Sequence, residues 1–376
     1  MRKAFRVGLL AAALVAIAAC GGNKEGEDAG AAKQPEDKAL FVYNWSDYIG
    51  ETTIADFQAK TGIKVTYDVF DSNEVLETKL LAGRTGYDVV VPSANFLERQ
   101  IKAGVFLKLD KSKLPNLVNM DADVMQRVAA HDPGNEYAIN YLWGTTGIGY
   151  NPDKVKKALG TDTIDSWSAV FDPANAAKLA KCGISMLDAP SEIMDSVLIY
   201  LGRDPNSEKA EDLAAAEEVL IKVRPHVRYF HSSQYINDLA TGEICVSVGW
   251  SGDVLQAKSR GAEAESPVNV AYVIPNEGAI TWYDMLAIPA DAPHPDNAHA
   301  FLNYIMEPAV AAGISDYVAY ANGNSASLPL VSDEVKNDTS VYPTDEVKKK
   351  LHAHLAESQE FSRDLNRSWT KVRTGQ

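Results

Sequence analysis

The chain has 376 residues, of which 46% are hydrophobic and 23% are charged, and its formal net charge at pH 7 is −15. This length is more than one hydrophobic core usually organises, so two lobes are expected. An acidic surface repels nucleic acid and anionic lipid headgroups, which argues against both as partners, whereas a cationic solute would be attracted.

The N-terminal residues resemble an export signal. Basic residues at the start precede an apolar stretch at 7–19, which is too short to span a bilayer but suits the core of a signal peptide. The tetrapeptide IAAC at 17–20 resembles a bacterial lipobox, in which the cysteine becomes the lipid-bearing first residue. We therefore expect 1–19 to be a lipoprotein signal peptide, Cys20 to be lipidated, and the mature protein to be membrane-anchored in the periplasm. An ordinary cleavage site with an incidental cysteine is the alternative.

Residues 20–38 are expected to form a flexible tether, because they are rich in small and charged residues and show no apolar period. Beyond them, apolar β-rich runs alternate with amphipathic stretches. The predicted strands are 40–44, 63–69, 87–91, 137–150, 184–187, 227–230, 244–248, 268–274 and 280–288. The predicted helices are 52–61, 72–82, 96–103, 193–201, 209–222, 234–241, 296–306 and 344–356. This alternation indicates an α/β fold with a largely parallel sheet and helices on both faces.

The pentapeptide Asn44-Trp45-Ser46-Asp47-Tyr48 follows the first predicted strand. An indole, a phenol and a carboxylate at the end of a buried strand form an aromatic wall beside a negative charge, which suits an organic cation. The alternative is structural: Ser46 or Asp47 caps the next helix, and Trp45 belongs to the core.

Other loops at predicted strand ends carry the same chemistry. Residues 249–253, GWSGD, repeat the order of an indole followed by a carboxylate, and in 281–284, TWYD, the indole and the carboxylate share one face of a strand. Because ligands bind at the carboxyl ends of strands in open α/β sheets, these segments could converge. Taken singly, Ser93 and Glu192 could start helices, Trp250 could be core, Asp253 could be a first-turn charge and Tyr320 a packing residue.

Two cysteines lie beyond the tether, Cys182 and Cys245. In an oxidising compartment two cysteines can pair, so a structural disulfide is the first interpretation, ahead of two separate buried thiols. Without suitable histidine spacing they would make a poor zinc site.

Several long segments resemble the periplasmic polyamine-binding proteins of ABC importers, with the closest resemblance to the putrescine-binding branch. The segments are FVYNWSDYI, GIKVTYDVFDSNEVLETKLLAG, YDVVVPSANFLERQI, WGTTGIGYN, LDAPSE, RYFHSSQYINDLATGEICVSVGWSGDV and YANGN. The resemblance runs from about residue 40 to 371. It implies a type II periplasmic-binding-protein fold, with two α/β lobes, a hinge and a ligand cleft between the lobes that closes like a clamshell.

The resemblance also implies the residues that bind the ligand. They are Trp45, Ser46, Asp47, Tyr48, Ser93, Glu192, Ser232, Trp250, Asp253, Trp282, Asp284 and Tyr320. The paired cysteines of the family fall on Cys182 and Cys245. No catalytic residue, metal or cofactor is implied.

A linear diamine has an ammonium at each end, and each ammonium needs a carboxylate when it is buried. For one end we expect Asp253 and Asp284. For the other end we expect Asp47 and Glu192, through ordered water with Ser46 and Ser93. The three tryptophans would sandwich the methylenes, and the walls beside them would be Tyr48 and Tyr320.

Two positions depart from the putrescine-binding pattern. Trp282 stands where those proteins tend to carry Phe, and Asn95 stands in place of a serine. Trp282 is similar in this to the spermidine-preferring relatives, and a bulkier wall can either shorten the slot or stack a longer chain. The resemblance as a whole makes putrescine the first expected ligand and spermidine the second.

The expected boundaries are 39–140 and 276–312 for lobe 1, and 141–270 and 313–376 for lobe 2. We expect a monomer that delivers its ligand to an ABC permease in the inner membrane; a polyamine sensor that docks to a membrane receptor is the alternative. An enzyme is not expected, because Walker, HExxH and GxSxG motifs are missing. The remaining candidates, His352 and His354, are interpreted as the solvated face of a charged helix.

Overall fold

The computed structural model describes residues 36–375, in which strands and helices alternate along most of the chain. The strands are β1 (Ala39–Trp45), β2 (Lys64–Phe70), β3 (Val89–Val90), β4 (Ala138–Tyr150), β5 (Ile184–Met186), β6 (Val227–Phe230), β7 (Val246–Trp250), β8 (Ala271–Val273), β9 (Ala279–Ala287), β10 (Ala321–Asn322) and β11 (Leu351–Ala353). The helices are α1 (Thr53–Thr61), α2 (Asn73–Ala82), α3 (Ala94–Lys102), α4 (Ala122–Val128), α5 (Pro152–Leu159), α6 (Ser168–Phe171), α7 (Pro173–Leu179), α8 (Pro190–Tyr200), α9 (Ala210–Val223), α10 (Gln234–Thr241), α11 (Ser251–Glu263), α12 (Pro295–Ile305), α13 (Pro308–Val318), α14 (Asp333–Lys336), α15 (Asp345–Lys348) and α16 (Gln359–Thr374). Short 3-10 helices lie at Lys111–Lys113, Pro115–Asn119, Arg224–His226 and Leu328–Leu330.

The strands form one mixed sheet in the order β2-β1-β3-β9-β4-β7-β5-β6, with β8 and β10 also paired to β4 and β11 to β9. The flanks, β2-β1-β3 and β7-β5-β6, are parallel, as the alternation of strands and helices predicts. The centre is antiparallel, where β9 pairs with β3 and β4, and β4 pairs with β7. The expectation of a largely parallel sheet is therefore wrong at the centre. From β8 the chain continues in the same direction into β9, and both strands pair antiparallel with β4.

The long strand β4 joins the two halves of the sheet. Its start pairs with β9, with Ala138 opposite Ala287, and its end pairs with β7, with Tyr150 opposite Val246. The described residues form a single compact unit. The division into two lobes at the expected boundaries stays a prediction.

Local sequence explains many of the element boundaries. The hydroxyl of Ser72 accepts a hydrogen bond from the backbone N–H of Val75 and so caps α2. The carboxylate of Asp172 does the same for the amides of Ala174 and Asn175 at the start of α7. Gly62 ends α1 in the left-handed conformation, with φ 72°, which costs glycine little.

The segment predicted as a helix at 344–356 folds differently. Helix α15 ends at Lys348, and the following residues form β11, in which Leu351 lies opposite Ala279 of β9. The backbone of this segment pairs with β9, an available partner that local periodicity does not reveal. The interpretation of His352 and His354 as one solvated helical face is therefore wrong, and His354 is only 6% exposed. Burial lowers the pKa of His354 to about 4.

Helix α16 was not among the predicted helices. It buries Leu365, Trp369 and Val372, which are spaced at i, i+4 and i+7. This is the period of an amphipathic helix, so the signal was present in the sequence.

The two cysteines form the expected disulfide. The sulfurs of Cys182 and Cys245 are 2.02 Å apart and the Cα atoms 5.4 Å apart. The bond lies just before β5 and β7, in which Ile184 pairs with Val246. It therefore links the amino ends of two neighbouring parallel strands.

The predicted signal peptide, the lipidation site Cys20 and most of the tether lie outside the described residues. The last residues of the predicted tether contact the fold. The carboxylate of Glu36 accepts hydrogen bonds from the backbone N–H groups of Asp296 and Asn297 at 3.0 Å. None of the helices in residues 36–375 combines the length and the apolar character that crossing a membrane requires.

Candidate functional site

A cleft of about 420 Å³ lies at the carboxyl ends of strands from both flanks of the sheet. Its lining residues are Trp45, Ser46, Tyr48, Phe70, Asp71, Ser93, Glu192, Ser232, Trp250, Asp253, Trp282, Asp284 and Tyr320. Eleven of the twelve sequence-predicted residues are thus brought together. The convergence follows from topology, because the carboxyl ends of parallel strands meet at one edge of a sheet.

Asp284 lies in β9 and is 4% exposed. Its carboxylate accepts hydrogen bonds from Ser93 Oγ at 2.6 Å and from Tyr48 Oη at 2.8 Å. Ser93 precedes α3 but makes no side-chain cap, so its hydroxyl is committed to Asp284. The amide of Asn73 fixes Ser93, donating to its Oγ at 2.9 Å and accepting from its backbone N–H at 3.0 Å.

Asp253 lies in the first turn of α11 and is also 4% exposed. It accepts hydrogen bonds from Tyr320 Oη at 2.7 Å and from Tyr235 Oη at 2.8 Å. The sequence interpretation missed Tyr235, which is fully buried and supports Asp253 from behind the cleft. Asp253 and Asp284 therefore each receive two hydroxyl donors and keep further lone pairs free for a ligand.

Burial raises the pKa of Asp253 and of Asp284 to about 7 in each case. The hydroxyl donors lower both pKa values, because their hydrogen bonds stabilise the ionised form. The pKa values of Tyr48 and Tyr320 are raised well above the ordinary value, chiefly by burial, so both phenols stay neutral donors. A cation in the cleft would favour ionisation of both aspartates.

A third carboxylate, that of Glu192, lies in the first turn of α8. Its Oε2 accepts hydrogen bonds from Thr146 Oγ1 at 2.5 Å and from the Trp250 indole N–H at 2.9 Å. Burial raises its pKa. Glu192 and Trp250 thus hold each other in place at the cleft.

Aromatic rings surround the carboxylates. Trp45 and Trp250 meet edge to face with centroids 5.5 Å apart, and Tyr320 lies 5.4 Å from Trp282 and 5.1 Å from Tyr48. The indole of Trp282 fits against Gly144 of β4, where an added Cβ would lie 2.9 Å from the ring. Residue 144 must therefore be glycine for this indole to keep its place.

Asp47 is the predicted residue that the structure does not bring into the cleft. It has a positive φ of 53°, and its carboxylate lies 2.7 Å from the guanidinium of Arg260. Asp71 lines the cleft in addition, accepting a hydrogen bond from Ser46 Oγ at 2.8 Å. With Phe70 it directly follows the predicted strand 63–69, so the rule applied to other strand ends could have found both residues.

A second cavity of about 360 Å³ adjoins the cleft and shares part of its lining. The shared residues are Trp45, Asp71, Ser93, Glu192, Trp250 and Trp282. It adds polar side chains that include Asn95, Glu74 and His354. Burial raises the pKa of Glu74 to about 7. The cleft therefore continues into a further acidic chamber.

Within residues 36–375 no group of three or more His, Cys, Asp or Glu side chains is arranged to hold a metal ion. The cleft combines carboxylates, neutral hydroxyls and aromatic rings, and the side chains that line it are not basic. This arrangement can bind a cation with apolar parts.

Comparison with known proteins agrees with this geometry. The family model for bacterial extracellular solute-binding proteins matches residues 52–343. The chain is 55% identical over 351 residues to the putrescine-binding periplasmic protein SpuD of Pseudomonas aeruginosa, covering 93% of this chain and 96% of that one. It is 52% identical over 377 residues to the putrescine-binding periplasmic protein PotF of Escherichia coli, covering 100% and 99%.

Among solved structures, a Listeria monocytogenes protein described as a spermidine/putrescine ABC transporter matches with a TM-score of 0.81 at 31% identity, covering 90% of this chain and 100% of that one. The expected α/β fold of the type II periplasmic-binding-protein class is confirmed. So is the expectation of a binding protein in place of an enzyme, because the relatives are transport proteins. The chain belongs to the family of bacterial extracellular solute-binding proteins.

Proposed function

We propose that the protein is a periplasmic lipoprotein that captures a polyamine, putrescine first and spermidine second, and delivers it to an ABC permease. The observation that carries the proposal is the pair of buried aspartates, Asp253 and Asp284, inside an aromatic cleft. Relatives that are more than half identical over nearly the whole chain are named for putrescine binding, which supports the same ligand.

The charge of the cleft selects the class of ligand. Asp71, Glu192, Asp253 and Asp284 line it without a basic side chain among the lining residues. An anionic ligand would meet only repulsion, and a neutral one would leave buried carboxylates unpaired, which costs several kcal/mol. An organic cation is the class that removes this cost.

The carboxylates can be assigned to the two ends of a diamine. Asp253 and Asp284 each accept a hydrogen bond from one of two tyrosines whose rings are in contact, and we assign both aspartates to one ammonium. The second ammonium would meet Glu192, with Asp71 in the place that the sequence interpretation gave to Asp47. Indole faces beside the chain would contribute roughly 0.5 to 2 kcal/mol for each well-placed cation contact.

Spermidine is the second candidate because the adjoining chamber adds a further carboxylate, that of Glu74, which could meet a third amine. Asp71 and Glu192 line both spaces, and Glu74 lines the chamber alone. The Escherichia coli spermidine/putrescine-binding periplasmic protein is 34% identical over 314 residues, covering 83% of this chain and 85% of that one.

Capture requires that the cleft open and close. The lining residues come from both predicted lobes, with Trp45 from the first facing Trp250 from the second. A ligand that contacts both sides favours the closed form, and the closed form is the one that docks on the permease in this proposal. Lipid attachment at Cys20 would keep the monomer near its permease.

Isothermal titration calorimetry with the variants Asp253→Asn and Asp284→Asn tests the proposal. Wild-type protein should bind putrescine and spermidine but neither arginine nor glutamate. Each variant should bind putrescine about 30-fold or more weakly, the size expected when a buried charge pair loses one partner.

The matched control is Asp47→Asn, which makes the same chemical change outside the cleft. Asp47 and Arg260 are both well exposed, so their ion pair should contribute less than about 1 kcal/mol. Near-wild-type affinity in both cleft variants, or a response to glutamate and not to either polyamine, would overturn the proposal.

A further inference from the structure

The C-terminal helix α16 contacts the ends of two strands that lead into the cleft. Trp369 of this helix is 4% exposed, and its indole N–H donates to Asp188 Oδ1 at 2.8 Å. Its ring packs edge to face against Phe230, with an interplanar angle of 75° and centroids 5.0 Å apart. Asp188 lies four residues before Glu192, and Phe230 lies two residues before Ser232. One side chain outside the cleft therefore touches both segments that present these ligand-facing residues.

Asp188 connects the contacts to one another. Its second carboxylate oxygen lies 3.0 Å from the guanidinium of Arg373, one turn further along α16. Its backbone N–H donates to Ser232 Oγ at 3.1 Å. The carboxylate of Asp188 thus contacts α16, and its backbone N–H contacts Ser232 of the cleft. A shift of α16 would thus be transmitted to Ser232 through Asp188.

The start of α8 lacks a cap of its own. Its N-cap residue, Ala189, offers no side-chain hydrogen bond, and Pro190 has no backbone N–H. Buried residues pack most of α8, but the chain just before its first turn is held by side chains from outside the helix. Asp188 is the residue held there, by Trp369 and Arg373. Since Glu192 is in the first turn of α8, this anchor acts on its position together with the hydrogen bonds from Thr146 and Trp250.

We propose that Trp369 and Asp188 are positioning residues for ligand recognition, which act through Glu192 and Ser232 without touching the ligand. The inference rests on the proposed function for its effect on affinity. Its structural part concerns the order of residues 188–192 and 230–233 and needs no ligand.

The variant Trp369→Phe removes the indole N–H and keeps an aromatic ring. Trp167→Phe is the matched control, because Trp167 is fully buried, its indole N–H donates to Gly278 O at 2.9 Å, and it does not line the cleft. Both variants should lower the melting temperature. Only Trp369→Phe should weaken putrescine binding in calorimetry, by about five- to tenfold, as for partial loss of a hydrogen bond to a charged group. Equal affinities for the two variants would overturn the inference.

A double-mutant cycle separates positioning from general destabilisation. In a Glu192→Gln background, Trp369→Phe should cost much less affinity than in wild type, because the group on which it acts is already altered. Asp188→Asn keeps an oxygen acceptor for the indole and should retain more affinity than Asp188→Ala. Fully additive losses, together with equal effects of the two Asp188 variants, would show that the contact only stabilises the fold.

Hydrogen exchange of the ligand-free protein decides the structural part. In Trp369→Phe, amides in 188–192 and 230–233 should exchange faster than in wild type, whereas Trp167→Phe should leave them unchanged. Unchanged exchange in both segments would overturn the positioning role. If wild-type protein binds no polyamine but exchange responds as expected, the proposed ligand is wrong and the positioning inference stands.

Discussion

At the scale of single residues, the chemistry of the cleft depends on two carboxyl groups, those of Asp253 and Asp284, whose pKa is raised to about 7. Asp253 and Asp284 are buried without a basic partner, and the hydrogen bonds that reach them come from neutral hydroxyls. Hydroxyl donors orient a carboxylate without cancelling its charge. The charge therefore remains available to a cation, which a salt bridge inside the protein would have neutralised.

Putrescine affinity should fall as the pH is lowered through about 7. Both aspartates have a pKa of about 7 because burial disfavours the ionised form, and binding of an ammonium requires that form. Amines of this type stay protonated over the same range, as lysine does. Calorimetry at pH 5.5, 7 and 8.5 should show weaker binding at the acidic end, with protons released on binding near pH 7.

The raised pKa of Asp253 and Asp284 affects the stability of the ligand-free protein in the opposite direction, because it favours the folded state at acidic pH. A carboxyl group whose pKa is higher in the folded than in the unfolded state contributes stability that is present below its unfolded pKa. This contribution is lost as the pH rises through the folded pKa, here about 7.

A putrescine affinity that is flat from pH 5.5 to 8.5 would contradict the affinity prediction. It would show that these carboxyl groups are ionised throughout or do not face the ligand.

At the scale of elements, the two ends of the parallel strands have different roles. The amino ends carry a structural link, and the carboxyl ends carry the residues that line the cleft. The disulfide precedes β5 and β7, whereas Glu192 follows β5 and Trp250 is the last residue of β7. Covalent linkage is thus placed at the edge opposite the cleft. The loops at the carboxyl edge can vary with the ligand without disturbing this link.

Removal of the disulfide should lower stability and leave ligand recognition largely intact. The bond joins residues separated by 63 positions, so its loss should cost about 2 to 4 kcal/mol through the greater entropy of the unfolded chain. The double variant Cys182→Ala/Cys245→Ala, followed by denaturant unfolding and calorimetry at a temperature where it stays folded, provides the measurement. Unchanged stability, or lost binding in the folded variant, would contradict this assignment.

At the scale of the whole molecule, the crossing strands β4 and β9 make one sheet of two flanks. Several contacts reach across the cleft directly, among them Asp47 with Arg260 and Tyr48 with Tyr320. They join segments that we assign to different lobes. The exposed ion pair adds little to the closed form, and a ligand that contacts both sides of the cleft is expected to favour that form further.

Small-angle X-ray scattering should therefore give a smaller radius of gyration with putrescine than without it. The ligand contacts both sides of the cleft and favours the closed form by its differential affinity for that form. Asp284→Asn, which should bind weakly, is the control at the same putrescine concentration. Identical scattering of wild-type protein with and without saturating putrescine would contradict closure driven by ligand.

Much of this protein was determined by its sequence alone. Strand and helix periods and the cysteine pair are local or nearly local patterns, and they predicted the α/β elements and the disulfide. Strand-end motifs indicated part of the cleft, and the family resemblance implied the eleven predicted residues that line it. Only the tertiary structure decided the rest. The positive φ of Asp47 and the nearby Arg260 turn one predicted carboxylate away, while Tyr235 reaches Asp253 from a separate helix. Likewise β11 forms because β9 offers it an edge. Each of these outcomes depends on partners distant in sequence, and no local pattern contains that information.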